Sequence, residues 1–358
     1  MTCCAGDNFD YCSRNFLICV QKVQFVRDPA CGLSIGGRTI ANRAFLAPMA
    51  GITDRPMRRL AARYGAGLVV SEMIASSALS VGNHDMVRKL SASPGLPHMV
   101  QLAGCEVEWM ALAARIAADA GADIIDINFG CPAKRVTNGF AGSALMRVPD
   151  LAQSLIEAVA EATSVPVTVK MRLGWDDDTL NAPEIARRSV NAGARMISVH
   201  GRTRQQFYKG DARWELVRAV VESVDVPVVV NGDITSLDRA REALMRSGAA
   251  AVMIGRGAQG QPWIVGQIAA GLAGQTGPDT PTQAELTSIV IEHYEGVLEE
   301  YGTEVGVRAA RKHLDWYIGA ADMPVAKEVR RLLLESQSPV EVIGLIGAIL
   351  GGELREAA

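Results

Sequence analysis

The chain alternates short apolar runs with amphipathic helical patterns, and this alternation limits its possible folds more than any other feature. Helical patterns such as Glu106 to Ala120 and Leu237 to Ser247 separate eight apolar runs of strand length. Apolar strands separated by helices are typical of parallel strands that are buried on both faces. The eight predicted strands are Ala44 to Pro48, Gly67 to Ser71, His98 to Leu102, Asp123 to Asn128, Pro166 to Arg172, Met196 to His200, Pro227 to Asn231 and Ala250 to Ile254.

The positions of four glycines support the same alternation of helices and strands. A Gly-Ala pair precedes four of the strands, with the glycines at Gly65, Gly121, Gly193 and Gly248. Glycine just after a helix end adopts the left-handed cap conformation, so each pair marks a return from helix to strand. Eight β/α units over about 225 residues predict a (β/α)8 TIM barrel of the α/β class. A doubly wound open sheet is the alternative, but it needs no eighth strand.

The pattern changes after Trp263. The segment from Gly271 to Thr282 is rich in Gly, Pro and Thr and is interpreted as a linker. Four helical patterns follow it, and none has the character of a strand. We therefore predict a catalytic barrel over residues 31–272 and a small C-terminal helical domain over residues 283–358. Residues 1–30 are interpreted as an extension outside the fold.

Composition excludes several classes of protein. The net charge of −3 gives no support for a nucleic-acid partner, which only a local basic patch could provide. No apolar run approaches the roughly 18 to 20 residues of a membrane helix. Five of the seven cysteines fall within the first 31 residues without CxxC spacing, so neither a disulfide framework nor a metal site is predicted. The start also lacks a secretory signal. We expect a reduced, cytoplasmic protein with no membrane and no stable protein partner.

The fourth predicted strand ends in Asn128-Phe129-Gly130-Cys131-Pro132 and leaves a thiol and an amide at its C-terminal end. Barrel enzymes carry their catalytic groups at these strand ends. A free thiol is mostly protonated at neutral pH and can donate a proton. The alternative is that Cys131 is a small buried apolar residue, the usual fate of a single cysteine.

Glycine turns follow strands seven and eight, where barrels commonly bind a phosphate group. Arg256 adds a forked donor suited to phosphate, and Lys170 lies near the C-terminal end of strand five. Together they suggest a cofactor that carries phosphate, although turn glycines and a salt-bridge lysine would look the same. His200 opens a basic loop and is either a second acid/base or a hydrogen-bond donor to a substrate carbonyl. A structural histidine is the alternative.

Several motifs, in order, resemble the signatures of tRNA-dihydrouridine synthases. They are Ala47 to Asp54, Asp126 to Pro132, His200 to Arg204, Asn231 to Ile234 and Met253 to Gly257. Val167 to Trp175, Gly260 to Trp263 and Arg311 to Tyr317 are similar to the bacterial B subfamily. The resemblance runs from about Leu33 to Tyr317.

The resemblance implies an enzyme that reduces the C5–C6 double bond of uridine in the tRNA D-loop. FMN reduced by NADPH would pass hydride to uracil C6, and Cys131 would protonate C5. The cofactor contacts implied are Pro48, Met49, Ala50, Gln101, Lys170, His200, Asn231, Gly232, Asp233, Gly255 and Arg256. The tRNA contacts expected are Asn128, Arg202, Arg204, Arg308, Arg311 and Lys312, and a solvated helix face is the alternative for the last three.

Two other functions remain open at the level of sequence. One is an RNA-binding protein that keeps the barrel without turnover. The other is a flavin reductase of small molecules, of the dihydroorotate or ene-reductase kind. The helical domain and the arginines after His200 favour a large polyanionic substrate over a small one.

Overall fold

A computed structural model describes residues 32–93 and 95–354. The predicted extension and the five N-terminal cysteines lie outside the described residues. The strands are β1 (Leu33–Ile35), β2 (Arg38–Ile40), β3 (Ala44–Leu46), β4 (Leu68–Val69), β5 (Ile74–Ala75), β6 (Met99–Ala103), β7 (Ile124–Phe129), β8 (Val167–Arg172), β9 (Ala194–His200), β10 (Val228–Asn231) and β11 (Ala251–Ile254).

Helices follow most strands. The α-helices are α1 (Arg55–Arg63), α2 (Ser76–Ser80), α3 (His84–Arg88), α4 (Val107–Asp119), α5 (Lys134–Thr137), α6 (Pro149–Ala162), α7 (Ala182–Asn191), α8 (Trp214–Val221), α9 (Leu237–Ser247), α10 (Ile264–Leu272), α11 (Gln283–Tyr301), α12 (Thr303–Ala320), α13 (Lys327–Glu335) and α14 (Pro339–Gly351). Short 3₁₀ helices span Gly142–Arg147 and Arg256–Ala258.

The predicted barrel is confirmed. Strands β3 to β11 pair in parallel in the order β4-β3-β11-β10-β9-β8-β7-β6-β5. A parallel bridge between Val70 and Met99 joins β4 to β6, so the sheet closes on itself. Each predicted strand is present within one or two residues of its expected bounds, and β5 is an additional short strand beside β6. All four predicted cap glycines have positive φ, from 70° at Gly248 to 109° at Gly193.

The N-terminal end of the barrel is closed by the β1–β2 hairpin, which the sequence did not reveal. Leu33, Ile35 and Ile40 are buried against side chains from the ends of the barrel strands, among them Phe45 and Met196. The hairpin leaves the opposite, C-terminal end of the strands as the open end. Functional side chains are expected there.

The predicted helical region is also confirmed. Helices α11 to α14 share their own apolar core, and in the described part of the chain no strand follows β11. This core includes Leu60 of α1 and Trp263, so the helices pack onto the barrel. Glu300 of α11 forms ion pairs with Arg55 and Arg88 at 2.9 and 3.2 Å. These contacts fix the helical region beside the open end of the barrel.

Candidate active site

A cavity of about 540 Å³ opens at the C-terminal ends of the strands. Its volume lies within the roughly 300 to 1,000 Å³ typical of small-molecule sites. The cavity is lined by Cys131, Asn128 and all eleven residues that were predicted to contact a cofactor. Those eleven are Pro48, Met49, Ala50, Gln101, Lys170, His200, Asn231, Gly232, Asp233, Gly255 and Arg256.

The loop that carries Cys131 is held by hydrogen bonds to its backbone. The Asn128 Oδ1 atom accepts from the backbone N–H groups of Gly130 at 3.1 Å and Cys131 at 2.9 Å. On the other side, the Ser143 hydroxyl donates to the Cys131 carbonyl at 2.9 Å. Gly142 has φ of 62°, and a Cβ there would lie 2.8 Å from the same carbonyl. Cys131 is therefore anchored through its backbone, and among the described residues its thiol forms no disulfide.

A buried chain of polar side chains extends from Asn128 into the barrel. Asn128 donates to Gln101 Oε1 at 2.8 Å, and Gln101 donates to Asp126 Oδ2 at 2.7 Å. Asp126 also accepts from the Thr168 hydroxyl at 2.6 Å. The backbone N–H groups at one end can only donate and the carboxylate at the other can only accept. Both amides are therefore fixed in one orientation. We call the hydrogen-bonded chain of Asn128, Gln101 and Asp126 the amide relay.

Burial opposes charge on Asp126, at the end of the amide relay, and on the neighbouring Lys170. Asp126 is 1% exposed, and burial raises the pKa of its carboxyl to about 6 despite hydrogen bonds from Gln101 and Thr168. Burial and the nearby Arg172 lower the pKa of Lys170 to about 8, while Asp126 acts in the opposite direction. Lys170 Nζ donates to Asn231 Oδ1 at 3.2 Å. Its charge is therefore retained at pH 7 and is lost as the pH rises through about 8.

His200 faces four cationic side chains. Burial first, and then Arg172, Lys170, Arg202 and Arg256, hold the pKa of the His200 imidazole well below its usual range. The ring is therefore neutral at pH 7. Of the two roles considered from sequence, a hydrogen bond from the neutral ring fits these surroundings, and proton donation by an imidazolium does not.

The turns after β10 and β11 bring backbone close to the cavity. Gly232 has φ of 114°, and a Cβ there would lie 2.8 Å from the His200 ring. A Cβ on Gly257 would lie 2.4 Å from the Ile234 carbonyl, so the two turns touch. Arg256 is half exposed at this edge and lies 3.5 Å from Asp233. Close backbone and a forked cation suit a phosphate group.

Comparison with known proteins agrees with these observations. The family model described as dihydrouridine synthase matches residues 45–350. A protein of Rhodobacter capsulatus named probable tRNA-dihydrouridine synthase is 55% identical over 87% of this chain and 95% of its own length. The corresponding Rhizobium leguminosarum protein is 50% identical over 89% and 100%. The chain belongs to the dihydrouridine synthase family.

The B subfamily resemblance is also supported. The protein of Xanthomonas axonopodis named tRNA-dihydrouridine synthase B is 44% identical over 86% of this chain and 92% of its own length. In this dihydrouridine synthase family member, no helix within the described residues has the length and apolarity needed to cross a membrane.

Arg202 and Arg204, the two arginines of the β9 loop expected to contact substrate, have different surroundings in the structure. Arg202 does not line the cavity, because it is 2% exposed and forms a two-pronged ion pair with Asp233 at 2.6 and 2.9 Å. Arg202 also donates to the carbonyls of Lys209 and Gly210. It therefore shapes the loop behind the cavity. Arg204 is partly exposed and stacks on Trp175, with Cζ 4.7 Å from the ring centroid.

The three basic residues predicted on the helical region lie on α12. Arg308 pairs with Glu304 at 3.3 Å, and Arg311 donates to the Glu335 carbonyl at 3.4 Å. Lys312 reaches the barrel, since a Cβ on Gly51 would lie 3.7 Å from its Nζ. Gly51 follows the cavity-lining Ala50, so Lys312 is the member of this set that lies beside the cavity.

Sequence reasoning did not identify two aromatic residues of the site. Phe207 and Tyr208 both line the cavity and remain partly exposed. Two guanidinium groups approach the Tyr208 ring, with Arg256 Cζ at 5.0 Å and Arg172 Cζ at 5.6 Å from its centroid. The only signal in the sequence is two adjacent aromatics in the loop after His200.

Proposed function

We propose that this dihydrouridine synthase family member reduces the C5–C6 double bond of a uridine in the tRNA D-loop, with FMN as cofactor and NADPH as reductant. The observation that carries the proposal is a thiol and a buried lysine on the walls of one cavity. Cys131 is anchored by Asn128, and Lys170 is held by Asn231 across the same space. The relatives named as tRNA-dihydrouridine synthases support the choice of RNA substrate.

The residues present fit a flat cofactor with a phosphate group. The touching turns at Gly232 and Gly257, with Arg256 at their edge, would hold the phosphate. Lys170 has no carboxylate at ion-pair distance within residues 32–93 and 95–354, so its charge is available to an anionic ring system. When bound, reduced FMN supplies hydride to the substrate.

The protein's own chemistry is the delivery of a proton. A hydride added at uracil C6 moves the electrons of the double bond toward C5 and the C4 carbonyl. Cys131 would give its thiol proton to C5, which completes the addition of two hydrogens, and the thiolate would recover a proton from solvent. A positioned general acid contributes about 10²- to 10⁴-fold to the rate.

The amide relay and His200 would orient the reacting groups. The backbone anchor from Asn128 holds the Cys131 loop against the cavity, and the neutral His200 ring can donate a hydrogen bond to a carbonyl. The uracil must leave its stack to reach this cavity, and loop bases are the least costly to extrude. Because tRNA is the substrate proposed, we expect the enzyme to act in the cytoplasm. Arg204, Arg308, Arg311 and Lys312 stay predicted tRNA contacts.

The test uses purified full-length protein. We expect a yellow protein whose flavin is bleached by NADPH and which converts unmodified tRNA to dihydrouridine-containing tRNA, as measured by mass spectrometry of nucleosides. A colourless protein that cannot be reconstituted with FMN would favour an RNA-binding protein without turnover. Equal NADPH oxidation with free uridine and with tRNA would favour a reductase of small molecules. Either result would overturn the proposal.

A further inference from the structure

Two arginines from different loops stack on one tryptophan beside the active site. Arg147 Cζ lies 4.8 Å and Arg204 Cζ 4.7 Å from the Trp175 ring centroid. Arg147 ends the 3₁₀ helix that follows β7, Trp175 follows β8, and Arg204 follows β9. We call these three residues the Arg-Trp-Arg stack. Three separate strand-end loops thus bring two guanidinium groups to one indole.

The positive charge of the Arg-Trp-Arg stack is not neutralised by an ion pair. Within the described residues, neither arginine has a carboxylate at ion-pair distance, and Arg204 Nε is buried with no hydrogen-bond partner. The neighbouring acids are used elsewhere or point outward. Asp176 accepts from Thr179 and Gln205, Asp177 pairs with Arg213, and Asp178 is exposed.

The Arg-Trp-Arg stack is joined to the wall that carries Cys131. The 3₁₀ helix that ends at Arg147 contains Ser143, whose side chain donates a hydrogen bond to the Cys131 carbonyl. The Arg204 backbone N–H donates to the Gly174 carbonyl at 3.0 Å, which ties the β9 loop to the β8 loop. The stack is therefore built on the same strand-end loops as residues that line the cavity, among them Cys131, Arg172 and Phe207.

We infer that the Arg-Trp-Arg stack binds phosphates of the RNA strand that flanks the target uridine, with Arg147 as a contact that sequence reasoning did not find. This inference rests on the proposed function. Cation–π stacking on an indole fixes the plane of a guanidinium group, and the N–H groups at the edge of the guanidinium stay free to donate hydrogen bonds. That edge matches two phosphate oxygens. A strand with one base extruded into the cavity must keep its adjacent phosphates near the cavity rim.

The test compares Arg147→Gln with Arg115→Gln. Arg115 is an exposed arginine on helix α4, and no residue of this helix lines the cavity, so the control removes the same charge away from the site. tRNA binding is measured over a range of salt concentrations. Each lost phosphate contact reduces the slope of log affinity against log salt by about 0.7 to 0.9. We expect this reduction and about tenfold weaker binding for Arg147→Gln, the effect of one charge-assisted contact.

A second pair of variants tests the role of the indole. Trp175→Phe keeps a ring for stacking, and Trp175→Leu removes it. We expect weak tRNA binding from Trp175→Leu and near-normal binding from Trp175→Phe, with NADPH-driven flavin reduction unchanged in both. If Arg147→Gln and Arg115→Gln show the same slope and affinity, the stack is not an RNA contact. That result leaves the proposed function intact, whereas absence of dihydrouridine formation by the unaltered enzyme removes the proposed function itself.

Discussion

Replacement of Asp126 by Asn isolates the charge at the buried end of the amide relay. The new side-chain oxygen still accepts from Gln101, and its NH₂ group donates to the Thr168 hydroxyl, which rotates to accept. The orientation of Gln101 and Asn128 is therefore kept. The substitution removes a buried carboxylate, 1% exposed, whose negative charge raises the pKa of Lys170.

The expected size of the effect follows from the pKa of Asp126. Its pKa is raised from 3.8 to about 6 in the folded protein. This difference corresponds to about 3 kcal/mol that ionisation costs the folded state at pH 7. Because the folded pKa lies above the unfolded one, the stability associated with the neutral carboxyl is present below pH 4 and lost as the pH rises through about 6. Asp126→Asn should therefore raise the free energy of unfolding by up to about 3 kcal/mol at pH 7, and by less near pH 4.

The assay is urea unfolding of wild type and Asp126→Asn at neutral and acidic pH, with NADPH-dependent flavin reduction followed across neutral to alkaline pH. Since Asp126 raises the pKa of Lys170, the variant should lose its alkaline activity at a lower pH than wild type. Destabilisation at pH 7 would refute the cost assigned to the buried charge. If wild type and variant lose flavin reduction at the same alkaline pH, the coupling between Asp126 and Lys170 is refuted.

Four further variants, one of them with a matched control, test the cavity. Cys131→Ala should keep flavin and its reduction by NADPH but lose about 10²- to 10⁴-fold in dihydrouridine formation, while the matched Cys105→Ala should not; equal turnover of both would remove the thiol from the proton-donor role. Lys170→Ala and Arg256→Ala should lower flavin content or the rate of flavin reduction, which absorbance and stopped-flow measurements detect; unchanged values in both would contradict the cofactor placement. Gly232→Ala should cost about 1 to 3 kcal/mol in thermal unfolding, because its Cβ would lie 2.8 Å from an imidazole; unchanged stability would show that the turn is not constrained.

The barrel could be predicted because its signals are local and repeated. Apolar runs set the eight strands, and the Gly-Ala pairs at positions such as Gly193 and Gly248 do adopt positive φ. The β1–β2 hairpin could not be predicted in the same way, since each strand has only three residues. Its position is set by apolar contacts with the barrel floor, which a local pattern does not contain.

The residues that line the cavity could be predicted where a position near a strand end decides their location, as for Cys131 and Lys170. The positions of other residues depend on partners that are distant in the sequence. Arg202 follows His200 in a basic loop, but its partner Asp233 is 31 residues away and holds it behind the cavity. His313 follows Lys312 in the basic cluster, yet it is buried against His293. Neither pair of residues can be recognised from the local sequence pattern.

The most direct test of the central proposal is nucleoside mass spectrometry of tRNA from a strain that lacks this gene. We expect dihydrouridine to disappear from one or more D-loop positions and to return when the gene is restored, but not when the restored gene carries Cys131→Ala. An unchanged set of dihydrouridines in the deletion strain, with no other gene of the family present, would contradict the account.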